Sequence, residues 1–189
     1  MNAFIDNFAS KYGIDVENAQ RFVEQFNVAE IRKGDLIVEQ NSLNDNFYIL
    51  KDGIIRAFVP TEDGEQTLWF GYPGQVFFDV WCYHWCKPSM IVIEAVTPGV
   101  VYFVCKDKLE RLSDRSHVIC NIVRKIFEGH AAETEESTTS LLMCDNGLER
   151  YLSVLRRHPE LLQQVPLRKL ASYLQLAPQS LSRIRSQIK

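Results

Sequence analysis

Gln179, Ser180, Ser182, Arg183 and Arg185 fall within seven residues near the end of this 189-residue chain, interleaved with Leu181 and Ile184. Amide, hydroxyl and guanidinium groups at helical spacing can read base edges, because Arg pairs two-pronged with guanine and Gln with adenine in a major groove. Arg168 and Lys169, one short segment earlier, carry the charge that holds phosphates. A second suggestive run is Cys82-Tyr83-His84-Trp85-Cys86, since thiolate and imidazole ligate soft and borderline metals. Read as a strand, it sends 82, 84 and 86 to one face without an obvious fourth ligand. Packing of aromatic and sulfur side chains is the expectation there, with no metal and no other cofactor.

The first set needs two short helices and a tight turn to present it. Leu167, Leu170, Ala171 and Leu174 line one helix, Leu176 plugs the turn, and Leu181, Ile184 and Ile188 line the other. With those side chains inward, Gln179, Ser180 and Arg183, and in part Ser182 and Arg185, face outward from the start of the second helix. Its amino terminus also bears a partial positive charge. This is the spacing of a helix-turn-helix. Gln175 stands where such turns usually carry Gly, and Ala177 where Ser or Thr would cap the helix, each at a cost of about 1 kcal/mol.

The charge is distributed to match. The chain is acidic overall, with a formal net charge of −3. From Asn146 onward, however, eight basic residues (Lys189 the last of them) face two carboxylates, a net of +6 that leaves −9 for the remainder. Such asymmetry suits one end that approaches a polyanion.

Ahead of that end the periodicity changes twice. Apolar residues from Phe4 to Phe26 recur at helical intervals, which predicts a helix over Asn2 to Phe26. From Val28 the period is two, and turns at Lys33-Gly34-Asp35, Asp52-Gly53, Asp63-Gly64, Pro73-Gly74 and Thr97-Pro98-Gly99 punctuate about eight short strands. His117 to Met143 then reads as one long helix with a broad apolar face that includes Leu141, weakened in its second half by Gly129 and "ETEESTTS". Asp145-Asn146-Gly147 is a hinge signal. The expected architecture is α+β: an antiparallel, jelly-roll-like β-roll over 1–116, a long helix and hinge over 117–145, and the helix-turn-helix over 146–189.

Composition excludes several classes. At 46% hydrophobic and 11% aromatic the chain can build a true core. Its most apolar stretch, "MIVIEAVTPGVVYFV", is broken by Glu94 and Pro98-Gly99, so no membrane span is expected. Asp6 sits where an export signal would need basic residues. Five irregularly spaced cysteines suit a reducing compartment, and a cytoplasmic location is expected. There is no phosphate-cradling Gly loop, nucleophile elbow or paired-histidine motif, so no enzyme is expected.

The order of parts resembles a known family. "EIRKGDLIVEQNSLNDNFYILKDGIIRAFVPTEDGEQTLWFGYPGQVFFD" resembles the cyclic-nucleotide-binding β-roll, and "RYLSVLRRHPELLQQVPLRKLASYLQLAPQSLSRIR" the DNA-binding end of the Crp/Fnr transcription regulators. The resemblance implies a homodimer paired through the long helix and a near-palindromic double-stranded DNA operator. It also implies contact with RNA polymerase, a small-molecule effector, and base contacts from Gln179, Ser180 and Arg183. In members that bind cyclic AMP, a Gly-Glu pair holds the ribose and an Arg-Ser/Thr pair the phosphate. Here those positions fall at Phe78-Asp79 and about Ser89-Met90, beside Trp81, and no arginine lies between Arg56 and Arg111. A phosphate without a cationic partner loses its strongest hydrogen bonds, so no cyclic AMP response is expected, and the effector is another molecule or none. The rival is a ligand-binding or interaction module whose terminal helices dock on a partner protein.

Overall fold

The computed structural model describes residues 3–62 and 64–188. Met1, Asn2, Asp63 of the expected hairpin turn, Lys189 of the basic end and the side chain of Leu141 lie outside the described residues. The expected first helix is two, α1 (Ala3–Tyr12) and α2 (Val16–Val23). Gly13 adopts a left-handed φ of +59°, and Asp15 accepts the Asn18 amide to cap α2. With an Asp two residues past Gly13 to cap it, a new helix is more favourable than continuation of the old one.

Among the described residues eight strands form two four-stranded antiparallel sheets. One runs β1 (Asn27–Ile31), β8 (Gly99–Cys105), β3 (Asn46–Asp52), β6 (Val76–Phe77); the other runs β2 (Leu36–Val38), β7 (Val92–Ala95), β4 (Ile55–Thr61), β5 (Gly64–Gly71). Strands flanking the Gly34 and Gly53 turns enter opposite sheets, so the chain winds between layers and makes a roll. Two turns cross closely where it does so. Gly53 sits at φ +93°, and a Cβ on Gly99 would lie 2.1 Å from the Asp52 carbonyl oxygen, so only glycine fits at that crossing.

The apolar residues of the facing sheets, among them Leu50, Ile55, Ile93 and Val101, fill the roll. A second core joins α1 and α2 to the outer face of the roll through Phe8, Phe22 and Phe47. The long helix α5 (His117–Leu142) enters this core with Ile122 and Ile126. Gly129 lets α5 approach α1, because a Cβ there would lie 3.1 Å from the Tyr12 ring. Two further helices were not expected. The segment expected as a strand around Cys82 and His84 is α3 (Val80–Trp85), capped by Asp79, and α4 (Lys106–Arg115) links β8 to α5. The helix α3 removes the face-alternation on which a Cys82/His84/Cys86 ligand set depended. Beyond the hinge come α6 (Gly147–Arg157), α7 (Pro159–Gln164), α8 (Leu167–Tyr173) and α9 (Pro178–Gln187). Their core of Leu161, Leu170, Leu174 and Leu181 is continuous with Ile54, Phe70 and Val96 of the roll. Among the described residues no helix is long and apolar enough to cross a membrane.

Candidate nucleic-acid interface and effector pocket

The terminal helices form from local pattern and a strained turn. Leu170, Ala171, Leu174 and Leu181 are completely buried, and Leu167, Leu176 and Ile184 pack around them. Ile188, expected to line α9, is instead 38% exposed. Gln175 takes the left-handed conformation at φ +55° that glycine usually supplies. The Leu176 amide then donates to the Ala171 carbonyl at 2.9 Å and closes α8. Ala177 gives α9 no side-chain cap, and Pro178 occupies its first turn, where a missing amide hydrogen costs nothing.

With Leu181 inward, Gln179, Ser180, Ser182 and Arg183 are all exposed. Among the described residues no hydrogen bond or ion pair engages their side chains. Arg168 is likewise exposed, while half-buried Arg185 donates to the Leu162 carbonyl at 3.4 Å. Lys169 is placed otherwise: its ammonium group is paired with Glu94 of β7.

That pair belongs to a fastening between α8 and the roll. Arg56 of β4, 1% exposed, is ion-paired with Glu94 and with Glu65, and donates to the Thr67 hydroxyl at 3.0 Å. Its guanidinium carbon stands 4.2 Å from the centre of the Phe58 ring. Ser172 of α8 accepts the Thr67 amide at 2.7 Å and donates to the Glu65 carbonyl at 2.7 Å. The Gln66 side chain donates to the Ser172 carbonyl at 2.7 Å. Burial pushes the Glu94 carboxyl upward, but its bonds to Lys169 and Arg56 and their charges outweigh that and hold it below its ordinary value. Sequence reading missed Arg56, Glu94 and Ser172 as a unit. A signal existed, because Arg56 and Glu94 are each a lone charge in an apolar strand and they stand directly opposite in the β4–β7 register.

A cavity of about 270 Å³ lies between β5, the segment from Gln75 to Trp81, and α5. Trp69, Phe70, Phe78, Trp81 and Ile91 give it an aromatic and apolar wall. The α5 side presents His130, Glu133, Thr134, Ser137 and Thr138, and Asp79 completes it. Among the described residues no lysine or arginine lines it. Burial lowers the His130 pKa, so the ring that packs 4.9 Å from Phe78 is neutral near pH 7. The sequence-expected pocket residues divide accordingly. Phe78, Asp79 and Trp81 come together, whereas Ser89 is absent from the lining, and its hydroxyl donates to the Ile91 carbonyl at 2.8 Å. Trp85 packs on Trp81 at 4.9 Å and is half exposed, and Tyr83 turns into the helical core against Phe47 and Phe127. Cys82 is buried 3.4 Å from Asp79, and burial raises its pKa, which leaves a thiol. Among the described residues no group of three or more His, Cys, Asp or Glu side chains is placed to hold a metal.

Residues 28–116 match the family of cyclic nucleotide-binding domains. No curated protein sequence matches the chain. Among solved structures, FixK2 from Bradyrhizobium japonicum is 23% identical, with a TM-score of 0.67 over 86% of this chain and 84% of that one. The c-di-GMP-responsive global regulator CLP of Xanthomonas campestris is 14% identical, with a TM-score of 0.71 over 92% and 91%. The catabolite activator protein of Thermus thermophilus is 18% identical, with a TM-score of 0.55 over 93% and 84%. Residues 28–116 thus match the model of cyclic nucleotide-binding domains, and over most of its length the chain shares the fold of these three solved proteins, the fold that the resemblance to the Crp/Fnr regulators implied.

Proposed function

We propose that the protein is a homodimeric, sequence-specific DNA-binding regulator of transcription whose roll answers to an effector other than cyclic AMP. The observation that carries this reading is the exposed, unengaged set Gln179, Ser180, Ser182 and Arg183 on the outer face of α9, which matches what base readout in a major groove requires. Residues 1–116 sense, 117–145 pair two copies, and 146–189 bind DNA. Exposed Val118, Leu142, Met143 and Leu148 support the pairing, since they leave apolar surface along α5 and the hinge for a second copy to cover. Arg168 and Arg185 hold phosphates; Lys169 does so only by exchanging Glu94 for a phosphate. The absence of lysine and arginine from the pocket lining, among the described residues, argues against an anionic nucleotide there.

Selection from a random duplex pool tests this. The expected result is an enriched two-fold motif with half-sites about 34 Å apart, bound with an affinity that falls log-linearly as salt rises. A pool with no enriched motif overturns it, and salt-insensitive capture by protein would favour terminal helices that dock on a partner.

A further inference from the structure

We propose that the cavity between β5, α3 and α5 takes a cationic ligand, a small organic ammonium with an aromatic or apolar body, held by Asp79. This rests on the reading of that cavity as the effector site. Asp79 is 1% exposed and lines the cavity. Its oxygens accept from the Trp81 amide at 2.9 Å and lie 3.4 Å from the Cys82 thiol, both neutral donors. No ion pair among the described residues includes it. Buried carboxylates are almost never left without a cation, and a carboxylate can accept about four hydrogen bonds, so this one retains capacity.

The rest of the lining has the same polarity. Thr134 donates its hydroxyl hydrogen to the His130 carbonyl at 2.8 Å, and Thr138 to the Thr134 carbonyl at 2.9 Å. Each then has only lone pairs left for a ligand. Glu133 adds a second carboxylate, already served by Lys11 at 2.8 Å and Gln75 at 3.2 Å, and His130 is neutral. Phe78, Trp81 and Trp69 supply ring surface, whose π faces attract cations and repel anions. A cyclic phosphate in this space would meet Asp79, which no cation offsets among the described residues, and Glu133, which Lys11 balances from outside the lining. An ammonium group would meet the acceptor oxygens of Asp79, Thr134 and Thr138.

Three probes that share one ring test the assignment on the full-length protein: phenethylammonium, 2-phenylethanol and phenylacetate, with cyclic AMP beside them. Binding is read from tryptophan fluorescence and from the shift in Tm. The expected order is amine, then alcohol, then carboxylate, with about tenfold or more between the first and last, as one charged hydrogen bond implies. Asp79→Asn keeps an acceptor for the α3 cap and should lower amine affinity about tenfold while leaving the alcohol unchanged. Equal or tighter binding of phenylacetate or cyclic AMP overturns the proposal. So does the absence of saturable amine binding, or an Asp79→Asn protein that binds the amine as before. The probe ranking on the unaltered chain stands even if that variant misfolds. Operator selection is independent of these probes, so a failed amine preference would leave the DNA-binding reading intact.

Discussion

Helices α8 and α9 are neighbours in one small unit, yet Lys169 and Ser172 of the first are disposed oppositely to Gln179, Ser180, Ser182 and Arg183 of the second. On α8, Lys169 and Ser172 are engaged by Glu94, Glu65 and Thr67 of the roll. On α9, Gln179, Ser180, Ser182 and Arg183 have no partner among the described residues. A polar group satisfied within the fold contributes to holding the fold, whereas one left in water is free to exchange water for a ligand at little cost. The first helix is thus a fastener and, on the function proposed above, the second is the reader. The fastener grips β5, whose following residues Leu68 to Gly71 form part of the cavity wall, so a single strand touches both the pocket and the C-terminal helical unit.

The contrast can be broken at its deepest point first. Arg56→Ala should destabilise the protein by about 3 to 5 kcal/mol in urea unfolding, because it removes the guanidinium between two carboxylates in a buried site. Arg183→Ala on the reader should leave unfolding unchanged. It should cost on the order of 1 to 3 kcal/mol of operator affinity and relax discrimination at one base, measured by titrating matched and single-mismatch duplexes. Ser172→Ala should cost about 1 to 2 kcal/mol, since two hydrogen bonds at β5 are lost. Its signature is faster hydrogen exchange at the Thr67 amide with no loss of base discrimination. Arg168→Ala should weaken all duplexes alike and lower the salt slope by about one phosphate contact.

The smallest effect comes from pH and sharpens the fastener alone. Glu94 has a folded pKa depressed below its ordinary value of 4.5. Its contribution to stability is therefore complete above that value and is lost as pH falls through the folded value. Unfolding midpoints should show no loss from this group between pH 7 and 5 and a decline below 4.5, and Glu94→Gln should remove that part of the decline.

Much of the fold is legible in the chain because it is written in local periods. Leu170, Leu174 and Leu181 recur at helical spacing, so the outward direction of Gln179 and Arg183 follows from neighbours three and four residues away. The strand positions follow similarly from turn residues such as Gly34 and Gly53. Where local signals compete, sequence reading fails: the aromatic run after Asp79 has strand-like composition, but the Asp79 carboxylate caps the Trp81 amide and starts a helix. Gly13 and Asp15 divide the first helix for a comparable reason.

The amino-acid sequence by itself determined most of the strands, the long helix and the helix-turn-helix, and which face of α9 meets solvent, because these depend on side chains within a few residues of one another. Only the tertiary structure decided that Lys169 closes on Glu94, 75 residues away, that Arg56 lies between Glu94 and Glu65, and that Asp79 faces a cavity with no ion pair among the described residues. Charge pairing in the interior depends on which distant strands lie side by side, and no local period carries that information.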